Sequence, residues 1–405
     1  MADFLVVVAV LIGIAYIYHH VVVKGQRCTS RAKLHGKTVI VTGSNTGIGK
    51  MTAIDLARRG ARVIMACRSK QKGEVAVLEV KMESRSENVT FMQLDLASLK
   101  SVRSFAEIFL KTEPRLDVLI NNAGVYMQGQ TEDGLGLMFG VNHIGHFLLT
   151  HLLLDRLKEC GPSRVVNVSS SVHNCGNIDF DCLNTHKALR LGTSFWSVMK
   201  IYSDSKLCNV LFTHELARRL QGTKVTCYSL HPGVIRSELA RNLSSVLVAV
   251  LKPVTTFFFK STEQGAQTTL HCALQEGLEP LSGRYFSNCT VRNLSAKATD
   301  DGTSKKLWEL SERLCVLPHE PTAAFVTHWN RMKFLQTFKR KCLHDKDPSG
   351  WRRPLTLSRF TWLQQTDGHF IEVGVYWVSV WLVAIQDPRG SVVWWVWQSA
   401  APKFF

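Results

Sequence analysis

Residues 38–49 read TVIVTGSNTGIG, in which a β-branched run leads directly into a glycine-rich turn. The run predicts a buried strand, and the apolar periodicity that begins at residue 48 predicts a helix. Glycine allows positive φ angles and a close approach to the backbone, and Gly43, Gly47 and Gly49 stand where the strand would pass into the helix. A helix N-terminus reached in this way favours the pyrophosphate of a dinucleotide. Because the spacing Gly-x3-Gly-x-Gly differs from the more familiar G-x-G-x-x-G, the motif needs support from elsewhere in the chain.

The chain from residue 36 to 317 alternates short β-branched runs with amphipathic stretches, a rhythm typical of doubly wound parallel sheets. The candidate strands are Thr38–Thr42, Arg62–Ala66, Val89–Leu94, Asp117–Ile120, Arg164–Val168, Thr223–Ser229 and Arg284–Phe286. Helical periodicity is clearest over Ile48–Arg59, Ser101–Leu110, Leu135–Lys158 and Ser203–Leu220. We therefore predict an α/β fold, a Rossmann-like doubly wound parallel sheet flanked by helices.

A second motif, YSDSK, occupies residues 202–206. Positions i and i+4 share one face of a helix, so the ammonium of Lys206 would lie near the phenol of Tyr202. The pKa of tyrosine is near 10, too high for efficient acid–base chemistry at neutral pH, and a neighbouring positive charge lowers it. Either motif alone is common. Together they predict hydride transfer between a nicotinamide and a carbonyl or alcohol, with Tyr202 as the acid and Lys206 also reaching the nicotinamide ribose.

Two further polar residues extend this catalytic set. Ser170 ends the predicted fifth strand, where its hydroxyl can hydrogen-bond a carbonyl oxygen that gains negative charge. Asn142 lies in VNHIGH, residues 141–146, and could hold a water that connects Lys206 to solvent. The predicted catalytic residues are therefore Asn142, Ser170, Tyr202 and Lys206.

The residue after the second strand predicts which dinucleotide is bound. An acid there binds the ribose 2′-hydroxyl of NAD, whereas a base accommodates the 2′-phosphate of NADP. This strand ends in Ala66-Cys67-Arg68, and the guanidinium of Arg68 can donate two hydrogen bonds to a phosphate. We expect Asp95 to receive the adenine amine and residues 121–124 to lie beside the adenosine ribose. The alternatives are an exposed arginine on a basic protein and an ordinary polar turn.

Composition sets limits on partners and compartment. The chain has 405 residues, 45% of them hydrophobic, which is ample for a buried core. Its net charge of +17 comes from dispersed lysines and arginines without a nucleic-acid-binding signature, so we expect no nucleic-acid partner. The eleven cysteines form no CxxC pair, which favours reduced thiols, no metal site and a domain that faces the cytosol.

Residues 1–24 are predicted to form a membrane anchor. Residues 4–23 carry no formal charge, and at about 1.5 Å per residue they would span the roughly 30 Å hydrocarbon core of a bilayer. Asp3 precedes this segment, whereas Lys24, Arg27 and Arg31 follow it, which places the rest of the chain in the cytosol. A cleaved signal peptide is the alternative, although it would want a basic start and a shorter apolar core.

Two other segments stand apart from the alternating pattern. Residues 243–260 are unusually apolar, and they predict either a core helix interrupted by Pro253 or an apolar lid over a lipophilic substrate that also touches the bilayer. After residue 317 the alternation stops, and eight of the ten tryptophans lie between Trp329 and Trp397. We treat residues 318–405 as a Trp-rich, basic extension of unknown structure, with an aggregation-prone window at residues 391–397.

Several motifs resemble the short-chain dehydrogenase/reductase family over residues 36–317. The segments similar to its retinol-dehydrogenase branch are TGSNTGIGK, ACRS, LDLASL, NNAG, VNHIGHFLLTHLLL, SRVVNVSS, YSDSK and HPGVIRSEL. The resemblance implies the tetrad given above and a Pro232-Gly233 loop whose backbone binds the nicotinamide amide. It also implies NADP(H), an anchor in the membrane of the endoplasmic reticulum with the catalytic domain in the cytosol, and a retinoid or other lipophilic carbonyl substrate. A homodimer is left open.

The residue patterns and the resemblance together define the expected cofactor residues, which are Gly43, Ser44, Asn45, Thr46, Gly47, Ile48, Gly49, Arg68, Asp95, Leu96, Asn121, Asn122, Ala123, Gly124, Tyr202, Lys206, Pro232 and Gly233. The segment between Ser170 and Tyr202 is several residues longer than the branch usually has, and it adjoins the substrate opening. A steroid or fatty aldehyde is therefore an alternative substrate. A further alternative is a non-catalytic NADP-binding membrane protein in which the longer segment closes the pocket.

Overall fold

The computed structural model describes residues 25–183, 194–235 and 259–316, the isolated positions 10, 13 and 16, and the backbone of residues 357–366, 369–386 and 392–401. The chain divides into two compact units, residues 1–319 and 320–405. The predicted anchor over residues 4–23, nearly all of the predicted lid at 243–260 and most of the long segment before Tyr202 lie outside the described residues.

The first unit is built on an eight-stranded sheet with the order β3-β2-β1-β4-β5-β6-β7-β8. Its strands are β1 Thr38–Thr42, β2 Arg62–Cys67, β3 Val89–Gln93, β4 Val118–Asn121, β5 Ser163–Val168, β6 Val225–His231, β7 Tyr285–Ser287 and β8 Thr290–Arg292. Neighbouring strands are parallel except β7 and β8. The strand order reverses between β1 and β4, and ligands of such sheets bind in the crevice at that point. The predicted doubly wound sheet is confirmed.

Helices cover both faces of this sheet. They are α1 Gly47–Arg58, α2 Lys70–Ser84, α3 Leu99–Thr112, α4 Leu137–Glu159, α5 Phe195–Arg219, α6 Thr262–Leu274 and α7 Asp301–Val316. The α4 helix is interrupted by a π-helical turn at Gly140–Ile144. Such turns are rare and frequently occur at functional sites.

The central strand β1 shows why the sequence favours this arrangement. Ile40 packs into a cluster with α3, α4, α5 and α7, whereas Val39 and Val41 pack into a second cluster with α1, α2 and α6. Successive side chains of a strand point to opposite faces, and here both faces are buried. A continuous apolar run is therefore the pattern that a central strand of a parallel sheet needs.

Within the described residues one helix, α4, is long and apolar enough to cross a membrane, yet 78% of its most apolar window is buried inside the protein. Its side chains Phe147, Leu149 and Leu153 belong to the first core cluster. This apolarity therefore serves the core of the fold.

The segment that follows residue 24 is bonded to the body of the first unit. The amide of Gln26 donates to Oδ1 of Asn288 at 2.8 Å, and the amide of Cys28 donates to Oε1 of Gln267 at 3.1 Å. Asn288 and Cys289 form the turn between β7 and β8 with φ angles of +55° and +56°, as a two-residue hairpin turn of type I′ requires. The N-terminal segment is thus attached to this turn and to α6.

The second unit contains an antiparallel sheet with the order β11-β10-β9. Its strands are β9 Leu357–Thr366, β10 His369–Gln386 and β11 Val392–Ala401. The register of β10 against β9 shifts between Glu372 and Gly374 and again between Tyr376 and Val378. Part of the extension whose structure the sequence left unknown is therefore a sheet.

Candidate active site

The turn between β1 and α1 requires its glycines. Gly43 and Gly47 have φ angles of +64° and +61°, a region that favours glycine. A Cβ on Gly43 would lie 2.8 Å from Cα of Ala123, and one on Gly49 would lie 2.5 Å from the carbonyl oxygen of Gly43. The turn is therefore pressed against the residues that follow β4. A backbone so bare of side chains is what a dinucleotide pyrophosphate needs.

The N-terminus of α1 leaves its amides available to an anion. Thr46, the residue before the helix, makes no side-chain hydrogen bond to the first turn, and that turn holds no acidic residue. Ser44 is buried with Oγ 3.5 Å from Sγ of Cys67. Asn45 is half-buried, and Ile48 packs on the core between the sheet and α6. The residues of the turn therefore fit the dinucleotide that the sequence predicts.

Thr42, which the sequence analysis did not single out, connects this turn to β4. Its hydroxyl accepts hydrogen bonds from the amides of Asn122 and Ala123 at 2.9 and 3.0 Å. The side chain of Asn122 donates to the carbonyl oxygen of Thr42 at 2.9 Å. The ends of β1 and β4 are thus fixed to each other at the crevice.

The two neighbouring asparagines differ in position. The side chain of Asn121 is buried and donates to Thr150 and Asn167 at 2.9 and 2.8 Å, whereas that of Asn122 faces the glycine turn. The structure therefore places Asn121 in an interior network between β4, α4 and β5. Only Asn122 brings its side chain to the predicted cofactor crevice.

The residues expected at the adenosine end lie after β2 and β3. Arg68 is exposed, and its side chain has no hydrogen bond or ion pair with any residue that the structure describes. Asp95 is half-buried, and its Oδ1 accepts the amide of Ala97 at 2.9 Å. Leu96 is buried in the core beside α4. Arg68 is thus free to meet a phosphate, whereas the side chain of Leu96 serves packing.

Tyr202 and Lys206 lie on α5, at the carboxyl end of β5. Lys206 is 3% exposed, and its Nζ lies 5.6 Å from the ring centroid of Tyr202. The same Nζ donates to the carbonyl oxygen of Val168 at 3.2 Å, and the hydroxyl of Ser169 donates to the main-chain oxygen of Lys206 at 2.7 Å. The end of β5 therefore holds the ammonium beside the phenol. Gly124 lies against it, because a Cβ there would be 3.3 Å from Nζ.

Ser170 begins a 3-10 turn at Ser171–Cys175, and its Oγ accepts the amide of Val172 at 3.5 Å. Its carbonyl oxygen accepts a hydrogen bond from Nδ1 of His173 at 2.7 Å. The hydroxyl proton of Ser170 makes no hydrogen bond to a described residue, so it can be donated to a substrate oxygen.

Asn142 lies in the π-helical turn of α4 and is fully buried. Its Oδ1 accepts the amide of Val125 at 2.8 Å, and its Nδ2 donates to the carbonyl oxygen of Val125 and to Oγ of Ser205 at 3.1 and 3.0 Å. Ser205 in turn donates to the main-chain oxygen of Tyr202 at 2.7 Å. Both amide hydrogens of Asn142 are thus used to join the end of β4 to α5. The proposed water relay through this side chain stays a prediction.

The Pro232-Gly233 loop follows β6. Gly233 has a φ angle of +98°, and a Cβ there would lie 2.6 Å from Cδ of Lys260. Lys260 is 8% exposed, its amide donates to the carbonyl oxygen of Val234 at 3.0 Å, and its Nζ donates to Oδ1 of Asn288 at 3.2 Å. Burial lowers the pKa of this ammonium. Lys260 thus ties the loop to the turn between β7 and β8.

Buried histidines surround the site and are neutral at pH 7. Burial lowers the pKa of His143 to about 3, that of His146 to about 4 and that of His231 to about 4. His143 bonds Ser311 of α7 at 2.9 Å, whereas His146 lies between Thr42 and Asn142. The only fixed positive charge that the contacts place beside Tyr202 is therefore Lys206, among the residues described.

Exposed apolar side chains, which we call the outer rim, lie near Tyr202 in sequence or contact. Tyr126 packs its ring edge to face with Tyr202 at 5.1 Å between centroids. The rim comprises Tyr126, Met127, Phe195, Trp196 and Val234, with exposures from 42% to 78%. Phe195 and Trp196 begin α5, and Val234 follows the Pro232-Gly233 loop.

The described residues thus bring most of the predicted set together through contacts. Linked in this way are Gly43, Gly49, Asn122, Ala123, Gly124, Asn142, Tyr202 and Lys206. Sequence reasoning missed Thr42, His146, Ser205 and Lys260. His146 had a usable signal, because it stands one helical turn after Asn142 on the same face. Lys260 had none, since its role depends on a loop distant in sequence. The described residues hold no cluster of His, Cys, Asp or Glu that could bind a metal.

Comparisons with known proteins agree with this geometry. A family model described as short chain dehydrogenase matches residues 37–188. Dehydrogenase/reductase SDR family member 13 of Bos taurus is 50% identical over 318 residues, which cover 78% of this chain and 83% of the relative. Retinol dehydrogenase 12 of Mus musculus is 53% identical over 289 residues, covering 71% and 89%.

A solved structure of an uncharacterized protein from Mycobacterium paratuberculosis is also similar. It has 35% sequence identity and a TM-score of 0.57, and the match covers 72% of this chain and 97% of that one. The relatives span the glycine turn, the tetrad and the sheet described above. The chain belongs to the short-chain dehydrogenase/reductase family, whose members are oxidoreductases that use a nicotinamide dinucleotide.

Proposed function

We propose that this protein is an NADP(H)-dependent oxidoreductase that interconverts a lipophilic carbonyl and its alcohol. The observation that carries the proposal is the buried ammonium of Lys206 beside the ring of Tyr202. Burying a charge costs free energy, so a buried ammonium held next to a phenol indicates a functional arrangement.

Proton transfer is assigned to the residues of the tetrad. In the reductive direction Tyr202 gives its phenolic proton to the carbonyl oxygen, and in the oxidative direction it takes that proton back. Lys206 stabilises the phenolate by its positive charge, and Ser170 donates a hydrogen bond to the same substrate oxygen. Asn142 holds the end of β4 against α5. When bound, the nicotinamide supplies or accepts the hydride at the carbonyl carbon.

The cofactor is held by the glycine turn and by the residues that follow the neighbouring strands. We assign the pyrophosphate to residues 43–49 and the N-terminus of α1, the adenosine to Arg68, Asp95 and residues 121–124, and the nicotinamide amide to the Pro232-Gly233 loop. Arg68 supports NADP(H), because its exposed guanidinium has no described partner and a 2′-phosphate would supply one.

The outer rim supports a lipophilic substrate. Its exposed aromatic and aliphatic side chains would lose contact with water when an apolar chain lies against them. Relatives named retinol dehydrogenase make a retinoid the first substrate to test. A steroid ketone and a long-chain aldehyde have the same reacting group and are the alternatives.

A direct test uses the purified full-length protein in lipid nanodiscs with NADPH or NADH. We expect oxidation of NADPH with at least one of retinal, a steroid ketone or a long-chain aldehyde, and none in the Tyr202→Phe variant. Binding of NADPH without turnover of any of these carbonyls would favour the non-catalytic alternative. Equal turnover in Tyr202→Phe would contradict the assigned chemistry.

We further propose that residues 4–23 anchor the protein in the membrane of the endoplasmic reticulum, with the first unit in the cytosol. The chain carries reporters for this topology, because Asn88 and Asn293 begin exposed glycosylation sequons. Asn288 also begins a sequon, but its side chain is bonded to Gln26 and Lys260. In mammalian cells we expect no glycosidase-sensitive mass shift. A shift that disappears in Asn88→Gln or Asn293→Gln would instead place the domain in the lumen.

A further inference from the structure

A chain of buried hydrogen bonds joins the glycine turn to the helix that carries Tyr202, and His146 is its central member. Nε2 of His146 lies 2.9 Å from Oγ1 of Thr42, and Nδ1 lies 3.2 Å from the main-chain oxygen of Asn142. Nδ2 of Asn142 then reaches Ser205, whose hydroxyl reaches the main-chain oxygen of Tyr202. The chain therefore crosses from β1 to α5 through the π-helical turn of α4.

The protons of this chain have one consistent arrangement. A main-chain oxygen only accepts, so Nδ1 of His146 carries the hydrogen that it donates to Asn142. Nε2 is then an acceptor and takes the hydroxyl proton of Thr42. This leaves both lone pairs of Thr42 Oγ1 for the amides of Asn122 and Ala123, which lie 2.9 and 3.0 Å away.

The arrangement needs a neutral imidazole. His146 is 2% exposed, and its burial and the nearby Lys206 lower its pKa to about 4. Protonation would place a hydrogen on Nε2 and turn the hydroxyl of Thr42 away. Without Nε2 the other described acceptor for that hydroxyl is the carbonyl oxygen of Ile120, at 3.4 Å. The two amides would then meet a hydroxyl oriented for a different partner.

We propose that His146 is a positioning residue with two separable effects. Through Thr42 it fixes the amides of Asn122 and Ala123 beside the cofactor, and through the main chain of Asn142 it fixes the π-helical turn that holds α5. The first effect concerns cofactor affinity and the second concerns turnover. This inference rests on the proposed function, since it gives both ends of the chain a role in that site.

Two amide substitutions separate the effects. His146→Asn can keep a donor near the position of Nδ1 but has no atom at Nε2, whereas His146→Gln can place its oxygen near Nε2 but loses the donor to Asn142. We expect His146→Asn to raise the Kd for NADPH about 10-fold at nearly normal kcat, and His146→Gln to lower kcat about 10-fold at nearly normal Kd. His146→Phe keeps the ring and should lose both.

A control on the same helix is His143→Phe. His143 is also buried, but it bonds Ser311 and contacts neither Thr42 nor the main-chain oxygen of Asn142. We expect its Kd for NADPH to match that of the unmodified protein. If His146→Phe does not fold, Thr42→Val tests the first effect alone, because it removes the hydroxyl without changing the volume. It should raise the Kd for NADPH about 10-fold and leave kcat.

Amide hydrogen exchange in the ligand-free protein separates this inference from the proposed function. Exchange at Asn122 and Ala123 should be about 10-fold faster in His146→Asn and Thr42→Val than in His146→Gln. This readout needs no substrate, so it decides the matter even if the unmodified protein reduces no carbonyl. Equal exchange in all variants, or equal changes of Kd and kcat in His146→Asn and His146→Gln, would overturn the inference.

Discussion

The interior of the candidate site and its outer rim are built in opposite ways. In the interior, Asn142 and Lys206 are at most 3% exposed, and their polar atoms are bonded to β4, β5 and α5. In the outer rim, Trp196 is 78% exposed, and the nearby strand-end residue Arg68 has no described side-chain partner. Groups that stabilise charge act best when they are already fixed in place. The difference assigns the reaction to the interior and the choice of ligand to the surface.

The strongest test of the interior is Tyr202→Phe. The ring and its contact with Tyr126 remain, but no proton can be given to the substrate, so we expect kcat to fall by about 10²- to 10⁴-fold. Titration of NADPH by its fluorescence should give an unchanged Kd. The matched control is Tyr285→Phe, which removes a buried hydroxyl from β7 and should keep its turnover. A loss of similar size in both variants would show that the phenol of Tyr202 has no special role.

The surface is tested by Arg68→Asp. This change replaces a partner of the 2′-phosphate with a repelling carboxylate, and charge-assisted hydrogen bonds contribute about 1.5–3 kcal/mol each. We expect the ratio of kcat/KM for NADPH to that for NADH to fall about 10- to 100-fold. Lys70→Asp makes the same change of charge two residues away, and it should leave most of the preference. An unchanged ratio in Arg68→Asp would make Arg68 an ordinary surface residue.

The buried histidines of the interior predict a dependence of stability on pH. Burial lowers the pKa of His143 to about 3 and that of His146 to about 4, below the unfolded value near 6.5. Between these limits the unfolded state binds more protons, so the free energy of unfolding falls as the pH falls below 6.5. Each histidine contributes a slope of about 1.4 kcal/mol per pH unit. Urea unfolding at pH 7 and at pH 5 measures this slope.

The variant His143→Phe checks the assignment of that slope. Its free energy of unfolding should depend less steeply on pH, by about 1.4 kcal/mol per unit, because one of the groups that must be protonated on unfolding is gone. An unchanged slope would mean that other groups cause the acid sensitivity.

The smallest expected effect concerns the outer rim. Trp196→Ala should raise KM for a long-chain aldehyde about 3- to 10-fold and leave kcat, because the lost contact is apolar and distant from the reacting oxygen. KM for a short aldehyde should not change. Leu78→Ala, which removes an equally exposed apolar side chain from α2, is the control. If chain length makes no difference, the outer rim does not contact the substrate.

The fold was largely predictable because its signals are local. Each central strand is an apolar run between polar turns, and both of its faces are buried, so burial and pattern agree. The glycine turn was predictable for a related reason, since a Cβ at Gly43 or Gly49 would meet backbone atoms. The α2 helix was harder to find. It buries Ala76 and Val80 but also exposes Val75, Leu78 and Met82, so it has no clear apolar stripe.

The site was predictable in its residues and less so in its connections. The spacing of Tyr202 and Lys206 gives their proximity, because both lie on one helix. Nothing local shows that Asn121 turns inward while Asn122 faces the crevice, since that depends on Thr150 and Asn167 in other elements. The π-helical turn at Asn142 also escapes periodicity, which predicted a continuous helix over Leu135–Lys158. Contacts between distant segments decide these features.

The attachment of Gln26 to the β7–β8 turn has a mechanical consequence. If residues 4–23 lie in a bilayer as proposed, Lys24 and Gly25 alone separate them from a residue fixed to the first unit. A tether this short has almost no slack, because two extended residues reach only about 7 Å. The catalytic unit would then stand at the membrane surface with a restricted tilt. Its substrate would arrive from a two-dimensional reservoir, and the relevant concentration would be moles per unit of lipid.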